Sequence, residues 1–361
     1  MSVVYPFEKM KLELRQRILA GEWAFGSRLP SSRQLARQYA CSVNTVERAI
    51  RDLVTEGLLK RENRKGTYIA NGVTGFNNKS GLIATFATEL NHPLWASALK
   101  GIEDFIQPFG YNLMVASDSQ DGRKLENLVR NIIAKRVDGV ILSPIDDLNR
   151  ENSNEMLLSM LQNNGIKIVF FDRYLYNSNI PYVCSDNLKG AYRLTQYLIE
   201  NGHRRILFIR KSNSTSVKER MAGYQQALLD KGLDYDEGLN VLFSREDRDS
   251  FSQLKEKMRQ LEYSAVIAVN CEVAQYAYQI LHEMNLKIPA NVTLVTFDPE
   301  LAPFYQIPLK LTGITQSFSE MGRVAARLLL HLIEEKETFS IAGQICATQL
   351  EIGASVKTVG G

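Results

Sequence analysis

With 361 residues, 45% of them apolar and 23% charged, the chain has the make-up of a folded protein with two or three cores, which excludes a disordered or fibrous class. No apolar stretch is long enough to span a bilayer, and the opening MSVVYPFEKMKLELRQ lacks a basic run followed by an apolar one, which predicts a cytoplasmic protein. The net charge of +3 is uneven: residues 1–70 hold 13 Lys/Arg against 7 Asp/Glu, net +6, leaving −3 for the remainder, so a polyanion partner is expected for the N-terminal segment alone.

In chain order, Phe7, Met10, Leu14 and Ile18 recur at helical spacing and predict an amphipathic helix ending near Gly21. Pro30, Ser31 and Ser32 then open a second helix, with serine oxygens to cap its first amides and Leu35 and Tyr39 facing inward. After the short turn CS, Val46, Ala49, Ile50, Leu53 and Val54 form one buried stripe of a third helix, started by Ser42 or Asn44 and stopped by Gly57. Its opposite face begins with Asn44, Thr45, Glu47 and Arg48. Two helices across a tight turn, the second opening on polar residues, make a helix-turn-helix whose positive dipole end faces phosphate. Leu58–Arg61 and Thr67–Ala70 then read as a hairpin with Arg64, Lys65 and Gly66 at its tip.

The stretch LPSSRQLARQYACSVNTVERAIRDLVTEGLLKRENRKGTYIA resembles the winged helix-turn-helix of the GntR family of bacterial regulators, closest in SVNTVERA to its YtrA-like branch. The resemblance implies double-stranded operator DNA as partner. Arg33 would contact phosphate, Asn44, Thr45 and Arg48 would serve the recognition helix, and Arg64, Lys65 and Gly66 would form the wing. Many members carry arginine where this sequence has Val43, so no operator is predicted.

Residues 71–80, NGVTGFNNKS, read as a linker, and 81–361 as a sensor and dimerisation domain. There, nine apolar runs (LIATFA, NLMVAS, GVILSP, KIVFFD, YVCSD, ILFIR, NVLFS, AVIAVN, TLVTFD) alternate with amphipathic stretches. This pattern predicts an α/β fold of two Rossmann-like parallel sheets in series. The second lobe is expected to start near 190–205 and the chain to cross back near 313–320. The runs end on Asp118, on Asp172 with Arg173 behind it, and on Asp186, Asn270 and Asp298. Ligands bind at the carboxyl ends of such strands. Asp118, Asp172, Arg173, Asn270 and Asp298, with Arg220 as a fork of donors and Trp95 as a stacking face, suit a neutral polyol. Each strand-end Asp or Asn reads equally well as a helix cap or turn. Cys41, Cys184, Cys271 and Cys346 read as small apolar groups, and His92, His203, His282 and His331 are scattered, so neither metal nor cofactor is expected.

The stretches NHPLWASALKGIED, NIIAKRVDGVILSP, YVCSDNLKGAYRLTQYLIENGHRRILFI, ERMAGYQQALLDKGL, KIPANVTLVTFD and ITQSFSEMGRVAARLLL resemble, in order, the effector domain of the LacI/GalR regulators, itself similar to periplasmic sugar-binding proteins. That implies a two-lobed fold in which Trp95 packs on a sugar ring, Arg220, Asn270 and Asp298 hold its hydroxyls, and Gln316 and Phe318 close the pocket. Asp298–Pro299 and AVNCEVAQ depart from the common pattern at the pocket edge. A GntR-type head on a LacI-type sensor resembles known sugar-responsive hybrid repressors and implies a homodimer released from its operator by a monosaccharide, a pentose or deoxyhexose. Rival readings are a purine-responsive regulator, an exported solute-binding protein and a sugar-processing enzyme. The last lacks a GxxxxGK loop, a GxSxG elbow and a metal cluster in the sequence.

Overall fold

The computed structural model describes residues 6–19, 22–23, 26–55, 58–62, 66–70, 79–87, 91–117, 122–145, 153–243, 249–334 and 343–359. Three helices open the chain, α1 (Pro6–Leu19), α2 (Ser32–Gln38) and α3 (Val43–Thr55), followed by an antiparallel hairpin of β1 (Leu59–Glu62) and β2 (Gly66–Ile69). A capping box starts α2: the Gln34 amide donates to Ser31 Oγ at 3.3 Å, and the Ser31 amide donates back to Gln34 Oε1 at 2.9 Å. Ser42 caps α3 by accepting from the Thr45 amide at 3.1 Å. Met10, Leu14 and Ile18 of α1 close a small core with Leu35, with Val46, Ala49, Ile50 and Leu53, and with Leu58 and Ile69 of the hairpin. Val54 lies half-buried at its margin.

Two six-stranded sheets follow. The first holds β3 (Leu82–Ala87), β4 (Asn112–Ser117), β5 (Gly139–Leu142), β6 (Lys167–Phe171) and β7 (Tyr182–Ser185), with helices α4 (Pro93–Ile106), α5 (Gly122–Ala134) and α6 (Ser153–Asn163) between them. The second lobe begins with α7 (Asn187–Glu200), which packs on α8 (Thr215–Asp230). Its strands are β8 (Ile206–Arg210), β9 (Asn240–Leu242), β10 (Ala265–Ala268), β11 (Thr293–Phe297) and β12 (Thr312–Gln316), with α9 (Ser250–Gln260) and α10 (Cys271–Glu283) among them. Helix α11 (Phe318–Ile333) returns to the first lobe and packs on α4. Strand β13 (Gln344–Cys346) then joins the first sheet and β14 (Thr348–Glu351) the second.

The strand orders are β13-β7-β6-β5-β3-β4 and β14-β12-β11-β10-β8-β9, the same arrangement twice. Pairing is parallel throughout except between β12 and β14. The chain passes between lobes at Asp186, Ser317 and Ala347. Residues alternate in period two along the inner strands β3, β5, β6 and β7 of the first sheet, and both faces are buried there. Ile83, Ile141, Val169 and Phe171 join the core under α4, while Ala84, Val140, Leu142 and Phe170 pack under α5 and α6.

Candidate functional site

On the head, Arg33 and Asn44 are exposed, Arg48 is exposed with its guanidinium 4.4 Å over the Phe7 ring, and Thr45 Oγ1 lies 2.8 Å from Ser42 Oγ. Glu47 accepts from Ser32 Oγ and, at 2.8 Å, from Arg61, so one carboxylate ties α2, α3 and β1 together. The Ser32 hydrogen bond, with Arg61 behind it, holds that carboxyl below the usual carboxylate range. Arg64 and Lys65 lie outside the described residues. Gly66 has φ +123°, and a Cβ there would press on the Arg28 guanidinium at 2.7 Å, so its role includes a local backbone requirement. Arg28, Ser32 and Arg61 went unnamed as site residues in the sequence because nothing in the pattern shows that the hairpin folds back beside α2.

In the sensor, Asp172 follows β6 and Asp298 follows β11, equivalent strands of the two sheets. Both adopt left-handed backbone, φ 67° and 60°, a conformation that costs a non-glycine residue about 1–2 kcal/mol. Trp95, on the first turn of α4, is 5.3 Å from the Phe171 ring, which meets Phe318 edge-on at 5.6 Å. Arg220 is buried on α8. Its Nε donates to Asn187 Oδ1 at 2.8 Å, Nη1 to the Val269 carbonyl at 2.6 Å and Nη2 to Gln316 Oε1 at 3.2 Å, and its plane lies 3.8 Å over Phe297. Gln316 Nε2 donates in turn to Asp298 Oδ1 at 2.6 Å. Burial pushes Asp298 up to about 6, against the pull of Arg220 and Gln316, with Asp172 adding to the rise. Burial also lowers Arg220, opposed by Asp298, Asp172 and Glu219.

The lobes touch on both sides of this network. Thr215 Oγ1 accepts from the Tyr174 amide and donates to the Tyr174 carbonyl, both at 3.0 Å, and the Tyr174 hydroxyl donates to Glu219 at 2.7 Å. Opposite, the His92 ring stands 5.9 Å from Phe304 and 6.3 Å from Tyr305. A cavity of about 140 Å³ remains between the lobes, lined in part by Pro144, Arg173, Tyr174, Ser214, Thr215 and Lys218. A larger hollow, about 500 Å³, lies on the second lobe around Pro303, Ile307 and Leu309; its wall includes none of the residues expected from the sequence.

The cleft thus gathers Trp95, Asp172, Arg173, Arg220, Asp298, Gln316 and Phe318. Arg173 lies 3.6 Å from the Asp172 carboxylate. Asp118 lies outside the described residues. The side chain of Asn270 caps α10, accepting from the Val273 amide at 3.0 Å, and Asp186 caps α7 in the same way. Asn187, Glu219, Tyr174 and Thr215 escaped sequence reasoning. Asn187, next to the strand-end Asp186, carried the one usable signal. His203 is fully buried between Ser264 Oγ (2.8 Å) and the Lys357 carbonyl (3.1 Å), tying down the C-terminal segment. All four cysteines are free, and burial raises the Cys184 and Cys271 thiols. Among the described residues no His/Cys/Asp/Glu group could hold a metal ion, and no helix is long and apolar enough to cross a membrane.

Residues 80–349 match the family described as periplasmic binding proteins and sugar binding domain of LacI family, and residues 7–69 match bacterial regulatory proteins of the gntR family. An arabinose metabolism transcriptional repressor of Halalkalibacterium halodurans is 26% identical over 347 residues, 93% of this chain and 91% of that protein. The ribose operon repressor of Escherichia coli K12 is 27% identical over 261 residues, 72% of this chain and 77% of that protein. A solved complex of the transcriptional regulator CelR with cellobiose superimposes with TM-score 0.67 at 25% identity, covering 96% of this chain and 98% of the other. Two capped helices with a wing at one end and paired sheets closing on a buried polar network at the other agree with these matches: the chain belongs to the family of periplasmic binding proteins and LacI-type sugar-binding domains, and it carries a gntR-family head.

Proposed function

We propose that this chain is a sugar-gated transcriptional repressor: a DNA-reading head (1–70), a linker (71–80) and a sensor (81–361) that releases operator DNA when a monosaccharide fills the interlobe cleft. The observation that carries the reading is the buried network Asn187–Arg220–Gln316–Asp298, strung between strand ends on a chain that also bears a helix-turn-helix. Guanidinium, carboxylates and amides beside an indole are complementary to vicinal hydroxyls and a ring face. Arg33, Asn44, Thr45, Arg48, Arg64, Lys65 and Gly66 serve the DNA. Trp95, Asp118, Asp172, Arg173, Arg220, Asn270, Asp298, Gln316 and Phe318 serve the sugar. Relatives named as arabinose metabolism and ribose operon repressors support a pentose as effector. The chain acts as a two-fold dimer on a pseudo-palindromic site, binds its sugar without turning it over, and works in the cytoplasm where that DNA lies.

Two measurements test this. Thermal shift of the full chain against pentoses, hexoses, deoxysugars and purines is expected to give its largest response with a pentose or deoxyhexose. Gel shift on duplex from the chain's own promoter region should then show binding that weakens with salt and with that sugar. Arg48→Ala should abolish selective duplex binding and leave the sugar response intact. Sugar affinity lost with Arg48, or conversion of the sugar by the protein, would overturn the reading.

A further inference from the structure

The head and the sensor meet away from the linker. Arg15 of α1 is 6% exposed, yet it is not part of the head's apolar core. Its Nη1 donates to the carbonyl of Pro108 at 3.1 Å, and its guanidinium stands 5.1 Å over the ring of Phe109. Both belong to the 3-10 turn Gln107–Phe109 that ends α4. Phe105, one turn back, stacks on Phe109 at 5.4 Å and fixes that ring. α1 therefore has two occupied faces: Met10, Leu14 and Ile18 point into the head, and Arg15 plugs the sensor. The sensor's first residues are anchored as well, because the Ser80 and Gly81 amides both donate to the Asp138 carboxylate, at 2.9 and 2.8 Å.

The other end of α4 is in the cleft. Trp95 and His92 stand at its start, the first against Phe171 and the second against the opposite lobe's Phe304. Fourteen helical residues span about 21 Å, so one rigid element runs from the cleft to the head. It is locked to α11, since a methyl at Gly101 would overlap the Ser319 carbonyl and one at Gly322 the Ala98 carbonyl. α11 itself starts at the crossing Ser317, so hinge and rod move together.

We propose that the Gln107–Phe109 turn is a docking seat for the head's first helix and that α4 carries the state of the cleft to it. Closure then holds the head in an orientation that does not suit its DNA site. Opening shifts the seat, and the docked α1 turns with it. The docking inference stands on the Arg15 contact, while its consequence for DNA release rests on the sugar-gated reading above.

Hydrogen exchange on the full chain tests the docking without sugar or DNA. Arg15→Gln and Phe109→Ala should each speed exchange of the α1 amides and of the 107–111 turn at least several-fold, leaving β8 and β10–β12 unchanged. Wild-type protection of α1 and the turn in both variants would sink the proposal. A duplex selected by the wild-type chain from a random-sequence pool then tests the consequence, titrated with L-arabinose, D-ribose and L-fucose. Both variants should bind sugar and sugar-free duplex like wild type, while the sugar-induced loss of duplex affinity shrinks about tenfold, the worth of one charge-assisted bond with its ring contact. An unchanged ratio would show that the contact carries no signal. Should none of the three sugars alter wild-type duplex binding, the sugar-gated reading fails, and the exchange data judge the docking alone.

Discussion

Arg220 is a buried cation whose three guanidinium nitrogens each donate one hydrogen bond, to Asn187, Val269 and Gln316, with Asp298 one bond further on. Removing one member of such a set leaves the opposite charge buried without compensation, which costs about 3–5 kcal/mol. Arg220→Ala is therefore expected to lower the melting temperature of the sensor and abolish the sugar response, while the isolated contacts of the head to duplex persist; a gel shift beside a thermal melt separates the two. Asp298 gives a pH signature. Its carboxyl titrates near 6 in the folded chain and near 3.8 unfolded, because burial outweighs Arg220. The folded state then holds the extra proton between those values, so the stabilisation is complete below about 3.8 and lost as pH rises through 6. Relative to Asp298→Asn, the wild type should gain on the order of 2–3 kcal/mol of stability between pH 7 and pH 4. His203, lowered by burial, works in the opposite direction. The comparison with Asp298→Asn cancels it; a flat difference in denaturant melts across that range would contradict the assignment. At this scale the sequence was informative about position, since Asp172 and Asp298 do lie directly after strands. It was silent for Glu219, whose partner Asn187 is met only after α7 and α8 pack.

Between elements, the tightest constraint is the α4–α11 pair. Gly101 and Gly322 let the two backbones approach until each Cβ position falls on a carbonyl of the other helix. Gly322→Ala forces the helices apart along the seam that joins hinge to rod, and overpacking of this kind typically costs roughly 1–3 kcal/mol. A melting temperature equal to wild type would mean the pair is looser than its geometry. This contact was not readable in advance, because glycine in GIED and MGRV carries no sign of the helix it will meet. The strands show the same limit. Runs such as KIVFF and TLVTF stand out because both of their faces are buried. Strands β13 and β14 do not, since they are short edge strands carrying Gln344, Thr348, Gln349 and Glu351, and their apolar content is too small to mark them. The third passage between lobes, at Ala347, stayed hidden with them.

For the whole molecule, the chain passes between the lobes at Asp186, Ser317 and Ala347, so contacts at the two rims add to what holds the lobes in this arrangement. On one rim Thr215 clasps Tyr174; on the other His92 meets Phe304. Phe304 is 44% exposed, reaches His92 only across the cleft, and lines neither the 140 Å³ cavity nor the Arg220 network. Its loss should therefore act on the closed state alone. An aromatic pair of this geometry is worth about 0.5–1.5 kcal/mol, and the affinity of a ligand falls with the fraction of molecules able to close on it. Phe304→Ala is thus expected to weaken sugar binding between two- and tenfold in a calorimetric titration. The same variant should bind its duplex as wild type does without sugar, and need proportionally more sugar to release it. Equal sugar affinity in the two proteins would mean that the His92 rim does not hold the lobes together, and the gating would then have to be sought at Thr215 and Tyr174 alone.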